Sequence, residues 1–428
     1  MAIISPCGLL TFIALVLGDA KMKKEIDIHN YRKKLDAAIR HVQIADISEG
    51  NRKAILDFRD FCSMNGIGLP RVVRYLGILA QWARLLNKDF DKATKEDIMR
   101  AVRVIQENEA YAAWTKATYK IMLKRFFRWL KNTEQPEEVK WINTSIKLTE
   151  KKLPANGDLL NEEEVMRIIN AAEHIRDKAF ISLLYESGSR IGELASLQIG
   201  NVKFDQYGAV LNVTGKTGPR PIRVITSTPY LMAWMQTHPF KDNPEAPLWL
   251  NFGNQRHNSL MKYANIRNML QKLCEKAGIK KRCNPHMFRH SRATFLADHL
   301  TEFQMNQYFG WIQGSKMPST YIHMSGIRID ASILALNGIS SPETKKESII
   351  KPKICPRCDT INVSEAKFCI RCAGILDLKT ACELEEKNAK EKEIRHDYDN
   401  VLNVLLKDPE VLSILTNKVK ELGLQDKV

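Results

Sequence analysis

One stretch of this 428-residue chain, residues 202–226, alternates apolar and polar side chains with the period of a β-strand. It is interrupted by Gly215-Lys216-Thr217-Gly218-Pro219, a composition suited to a tight hairpin turn. Elsewhere the apolar residues mostly recur three and four apart, as on a helix face. The expected fold is therefore mainly α with a small β-hairpin sheet, an α+β class. A chain of this length exceeds one core and implies two or three domains.

Punctuation divides the chain further. Residues 1–27 read as an N-terminal extension. The run 9–17 (Leu-Leu-Thr-Phe-Ile-Ala-Leu-Val-Leu) looks like the apolar centre of a signal peptide, yet no lysine or arginine precedes it. It is also too short to span a bilayer, and Met22-Lys-Lys-Glu opens an ordinary polar start. A misassigned upstream start is the preferred reading, with an N-terminal anchor as the alternative.

Residues 28–135 form a helical unit of four predicted helices. Ser48 precedes one that carries Ile55, Phe58 and Phe61, and a second runs through Tyr75, Leu76, Leu79, Trp82 and Leu85. Thr94-Lys-Glu-Asp97 is a capping box for the third. The fourth, about 114–132, places Lys116, Lys120, Lys124 and Arg128 four residues apart, a basic stripe fit to touch DNA phosphates. Residues 136–158 read as a linker, and 159–338 as a second domain opened by Asn161-Glu-Glu-Glu164. Residues 350–376 hold a cysteine group, and 380–428 are a charged helical tail broken at Asp408-Pro409.

The formal net charge of +16 favours a polyanionic partner, because neutralised phosphates release condensed counterions. Four of the nine cysteines lie close together, while Cys7, Cys62, Cys274, Cys283 and Cys382 show no pairing logic. That usage fits a reducing, cytoplasmic interior with a metal site rather than a disulfide framework, and no membrane partner is expected.

The second domain carries the chemistry. Moving a phosphodiester without metal or ATP needs a nucleophile, donors for the transition-state oxygens and an acid for the departing oxygen. His286 and Arg289 are three apart, so on one helix both can face the same anion. Arg190 follows Gly188 in a sharp turn, and its planar guanidinium suits phosphate oxygens. Lys216 at the hairpin tip could reach a leaving 5′-oxygen, and Trp311 can donate through its indole nitrogen. Tyr321 would attack and store the bond energy as a phosphotyrosine. Each signal is weak alone; their order and spacing carry the weight.

In that order the chain resembles the tyrosine recombinases, or phage-type integrases, specifically their archaeal Xer-like branch, over about residues 40–338. The family order of Arg, Lys, His-x-x-Arg, His-or-Trp and Tyr is matched by Arg190, Lys216, His286 with Arg289, Trp311 and Tyr321. Glu193 matches the acidic residue that braces the site. The family's Leu-Gly-His appears as Phe309-Gly310-Trp311, so position 311 is expected to donate and pack rather than transfer protons. The resemblance implies a SAM-like four-helix DNA-binding domain ahead of the catalytic one, the two clamping double-stranded DNA. It also implies cleavage and rejoining through a 3′-phosphotyrosyl intermediate with no cofactor, by a homotetramer on two DNA sites. A type IB topoisomerase and a catalytically inactive DNA-binding or regulatory protein are the other readings.

Cys355-Pro-Arg-Cys358 and Cys369-Ile-Arg-Cys372 are two CxxC knuckles whose four thiolates suit a closed, structural Zn2+ site of zinc-ribbon type. A unit this small would take its stability from the metal. Iron–sulfur chemistry is the other use of four thiolates. Leu412, Leu415, Val419 and Leu422 form a short apolar stripe suited to packing on the chain's own body or on a neighbouring subunit. Cys382 and His396 are read as bystanders. Neither the DNA target nor a directing partner protein is legible.

Overall fold

A computed structural model describes residues 26–146, 156–252, 258–325, 337 and 348–421. Chain contacts divide them between two units. One contains residues up to 159 together with 192–196 and 247–271; the other contains 160–191, 197–246 and 272 onward. Residues 1–25 and Leu422 lie outside the described residues, as does most of the stretch 326–347.

The first unit begins with five helices, α1 (Tyr31–Ile44), α2 (Glu49–Met64), α3 (Leu69–Leu86), α4 (Lys95–Glu107) and α5 (Ala113–Leu130). The sequence reading expected four. Helix α1 was missed because most of its side chains are exposed or half-exposed, with only Val42 fully buried, so its apolar period is faint. The caps are where they were expected: Ser48 accepts from Asn51, and Thr94 and Asp97 form a reciprocal capping box. Phe58 is the centre of the core, meeting Tyr75 and Phe126 edge-on at 5.1 and 5.3 Å. The buried Asn51 amide donates to Lys88 O (2.9 Å) and accepts from Phe90 N (2.8 Å), pinning the loop between α3 and α4.

The second unit opens with α6 (Glu162–Ala171), capped by Asn161 and Glu164, and α7 (Ile175–Ser187). Helix α7 is buried almost all round, through residues such as Phe180, Ile181, Leu183 and Leu184. Gly188 ends it at φ 53°, in the left-handed region where a glycine is preferred. Strands β1 (Val202–Asp205), β2 (Gly208–Gly215) and β3 (Gly218–Val224) make one antiparallel sheet in that order. Gly215 pairs with Gly218, so Lys216 and Thr217 are the two turn residues, as the sequence predicted.

The buried Glu186 carboxylate accepts from the amides of Ile225, Thr226 and Ser227 at 2.7–2.9 Å, bolting the end of β3 to α7. This anchor escaped sequence reading, because its partners are backbone groups about forty residues away. Four further helices complete the unit before residue 326. They are α9 (Thr228–Gln236), α11 (Pro285–Ala297), α12 (Glu302–Phe309) and α13 (Met317–Ser325), with α8 (Ile191–Ala195) and α10 (Tyr263–Lys276) intervening in sequence. Asn284 caps α11 by accepting from Met287 N, with Pro285 in its first turn.

One expectation is corrected. Cys274, at the end of α10, and Cys283, just before α11, form a disulfide across nine residues. The connecting turn folds the chain back on itself, through Ile279 N donating to Cys274 O. A short i, i+9 spacing carries no sign of such a reversal.

After residue 347 come β6 (Lys353–Ile354) and β7 (Ile361–Asn362), which pair antiparallel, then α14 (Leu378–Leu405) and α15 (Pro409–Glu421). A two-stranded ribbon of Leu250–Asn251 and Ser259–Leu260 (β4 and β5) belongs to the first unit. Within the second unit the cysteine-bearing segment is tied to α6. Ile349 N donates to Glu162 (2.7 Å), and Asn170 donates to Glu365 (2.9 Å).

Candidate active site

Helix α12 ends at Gly310, whose φ of 60° terminates it by a left-handed cap. Three arginines take the carbonyls at that end. Arg220 Nε donates to Tyr308 O (3.0 Å), Arg289 Nη2 to Phe309 O (2.9 Å) and Arg190 Nη2 to Gly310 O (3.1 Å). Thr217 in the hairpin turn adds a hydroxyl to Gly310 O (3.3 Å). The negative end of a helix thus gathers guanidinium groups from three separate elements. Arg289 is the most deeply set. Its Nη1 also donates to Gly188 O (2.8 Å), and its guanidinium lies 5.1 and 5.3 Å from the Phe309 and Trp311 rings.

Tyr321, on α13, is buried. Its ring stacks on Trp311, and its hydroxyl meets His290 Nδ1 at 2.7 Å. Burial pushes the phenol up to about 12, partly offset by the Arg289 charge. His286, His290 and Arg289 occupy one face of α11, by their spacing of three and four. Both histidines are held below the ordinary value. Loss of solvation is the larger cause in each; Arg289 and Arg190 add to it at His286, and His286 and Arg289 at His290. His286 is exposed on the helix surface, whereas His290 is half-buried. Lys216 stands exposed at the hairpin tip and makes no hydrogen bond or ion pair among the described residues.

The residues singled out from sequence therefore fall into three groups. Arg190, Arg289, Trp311 and Tyr321 converge at the end of α12, with His286 one turn from Arg289 and Lys216 on the neighbouring turn. Glu193 is buried on the short helix α8. The stripe Lys116, Lys120, Lys124 and Arg128 does lie along one face of α5, but it is turned partly onto the chain itself. Lys116 Nζ donates to Gln106 O, Lys124 Nζ to Ile142 O, and Arg128 is 3.7 Å from Glu134. Sequence reading assigned no role to Arg220 or His290. His290 had a signal, its place four residues after His286 on the same helix; Arg220 had none.

The Sγ atoms of Cys355, Cys358, Cys369 and Cys372 all lie within 4.8 Å of one another. Two pairs stand 3.5 and 3.6 Å apart, close to the ~3.8 Å edge of a tetrahedron with 2.3 Å metal–sulfur bonds. Asp359 and Ala373 adopt positive φ after the second cysteine of the first knuckle and of the second, turning each back around the thiols. The group can hold a metal ion. Cys382 and His396 are exposed and outside it.

Residues 158–326 match the model of the Phage integrase family. Similar proteins include tyrosine recombinase XerC of Natranaerobius thermophilus, 28% identical over 273 residues, which are 58% of this chain and 86% of that protein. Another is tyrosine recombinase XerA of Pyrococcus horikoshii, 27% identical over 185 residues, 43% and 60% of the two chains. Among solved structures, a lambda integrase dimer bound to a COC′ core site matches with a TM-score of 0.50. The match is at 16% identity over 65% of this chain and 79% of that one, a likeness of fold alone. Neither the topoisomerase nor the inactive reading is favoured by these relatives. Residues 158–326, which hold the arginine cluster and the buried tyrosine, match the Phage integrase family, and these similarities support a tyrosine-type site-specific DNA recombinase.

Proposed function

We propose that Arg190, Lys216, His286, Arg289, Trp311 and Tyr321 are the catalytic set, cleaving duplex DNA through a 3′-phosphotyrosyl intermediate. The observation that carries this reading is the gathering of Arg190 and Arg289 around the α12 carboxyl end next to Tyr321. Tyr321 Oη attacks phosphorus, and the bond from phosphorus to the 5′-oxygen breaks. The two guanidiniums and His286 donate to the nonbridging oxygens, whose charge grows in the transition state. Lys216, free at the hairpin tip, supplies the proton to the departing 5′-oxygen. Trp311 donates from its indole and packs on the nucleophile. Glu193, three residues after Arg190, is the acidic residue that the family resemblance assigns to bracing the site. Rejoining is the reverse, with a 5′-hydroxyl as nucleophile, so neither ATP nor a catalytic metal enters.

The partner is double-stranded DNA, gripped in part by Lys116, Lys120, Lys124 and Arg128 and in part by the rest of the +16 excess. DNA as substrate places the work in the cytoplasm. Four copies on two DNA sites are the working assembly, in keeping with the dimer and tetramer forms of the lambda integrase structures. The Cys355, Cys358, Cys369 and Cys372 group would hold Zn2+, which supplies fold stability to its own segment and no chemistry to the phosphate. Among the described residues no helix is long and apolar enough to cross a membrane.

A covalent trap tests the reading. Purified protein is incubated with supercoiled plasmid and labelled nicked duplexes, and the products are run on a denaturing gel. An adduct present with the wild type and absent with Tyr321→Phe supports it. DNA binding with no adduct on any nicked substrate would sink it.

A further inference from the structure

We infer that His290 is a catalytic residue, the group that accepts the Tyr321 proton as the tyrosine attacks phosphorus. The inference rests on the phosphotyrosine reading above and adds a residue to it.

Its basis is geometric. His290 Nδ1 and Tyr321 Oη are 2.7 Å apart, a full hydrogen bond between the nucleophile's own oxygen and a base. His290 is four residues after His286 and one after Arg289, so α11 presents base and phosphate clamp from the same turn and a half. The tyrosine is buried, without ready access to bulk water as a proton acceptor. Its phenol, pushed up to about 12, is almost wholly protonated at neutral pH, so attack requires that the proton be handed on. Among the described residues, the charged and titratable groups around His290 are His286 and Arg289 on its own helix and Tyr321 on α13. Burial and the first two favour the neutral ring, which is the form able to accept.

The step balances without an added reagent. The Tyr321 O–H bond breaks as its oxygen bonds to phosphorus, and the proton moves to His290 Nδ1. The bond from phosphorus to the 5′-oxygen breaks, and that oxygen takes a proton from Lys216. In rejoining, His290 returns the proton to the departing phenolate. The tautomer required has Nδ1 free and hydrogen on Nε2.

The test uses the nicked duplexes that give the wild-type adduct, each made with an ordinary 5′-oxygen and with sulfur in its place. A thiolate leaves without an acid, so it separates nucleophile activation from leaving-group protonation. His290→Gln, which can still hydrogen bond, is expected to form adduct about 10²–10⁴-fold more slowly on both substrates. Lys216→Ala is expected to be slow on oxygen only. In the wild type, the rate on the sulfur substrate should fall as pH drops through the histidine range, and His290→Gln should lose that dependence. DNA affinity and melting temperature should stay near wild type in both variants.

A His290→Gln rate equal to or above wild type would overturn the assignment and mark the contact as a resting-state latch. Rescue of His290→Gln by sulfur would likewise overturn it. Should that variant fold poorly, a flat wild-type pH profile on the sulfur substrate would overturn it equally. Absence of any wild-type adduct would instead remove the phosphotyrosine reading beneath it.

Discussion

Trp311 lies flat on Tyr321, with ring centroids 5.4 Å apart and planes within 5° of parallel. Phe309 also stacks on Trp311, at 4.8 Å and 22°. The proposed nucleophile thus packs against the residue proposed to donate to its target. The three arginines nearby are occupied with backbone carbonyls. Binding of a phosphate must therefore compete with, or share, a set of contacts already made within the chain.

Substituting Trp311 separates its two roles. Trp311→Phe keeps an aromatic face on Tyr321 and removes the indole N–H, so adduct formation should slow by about 10²–10³-fold while melting shifts by only a few degrees. Trp311→Ala loses the stack as well and should be destabilised by about 2 kcal/mol. Single-turnover cleavage and a urea titration distinguish them; an unchanged rate in Trp311→Phe would reduce the residue to packing.

Arg289, proposed above as a phosphate clamp, is also a strut between the Gly188 and Phe309 carbonyls. Arg289→Lys cannot reach the Gly188 and Phe309 carbonyls together with a phosphate, because an ammonium lacks the fork. Stability should fall by about 1–3 kcal/mol from the carbonyls left without partners. Cleavage should fall by about 10²–10³-fold beyond that. Denaturant unfolding read beside adduct formation would show whether both losses occur; a stability close to wild type would contradict the strut role.

Mild acid should weaken the fold. His29, His174 and His290 all sit below the ordinary histidine value of 6.5, each chiefly through burial. The unfolded chain then binds more protons than the folded one near and just below 6.5. Their contribution is fully present above that value and is lost as pH falls through it. The carboxylates held low, among them Asp205 and Asp377, act only in stronger acid. Melting temperatures at pH 7.5 and 5.5 check this, and His290→Gln should flatten part of the slope.

Metal removal should act locally. Chelation, or Cys355→Ser, is expected to release about one equivalent of zinc and to unfold residues near 350–376. Adduct formation on a short duplex should survive, since the proposed phosphate chemistry uses none of these cysteines. Atomic absorption and limited proteolysis give the two readouts; loss of cleavage in proportion to zinc would assign the metal a wider role.

Much of the molecule was legible in the residues alone. The capping boxes at Thr94 and Asn161, the Lys216 turn and the CxxC knuckles are local patterns, and local backbone chemistry determines them within a few residues. The order of Arg190, Lys216, His286, Arg289, Trp311 and Tyr321 carries the resemblance to the tyrosine recombinases for the same reason, since residue types and spacing are read directly from the chain. Long-range relations were decided only in three dimensions. The Glu186 anchor, the Cys274–Cys283 bond, the turning inward of Lys116 and Lys124, the Arg220 contact and the His290–Tyr321 pair each join elements with no common period in sequence. They depend on which carbonyls and side chains packing leaves without partners. That is a property of the assembled core, and no stretch of chain carries it alone.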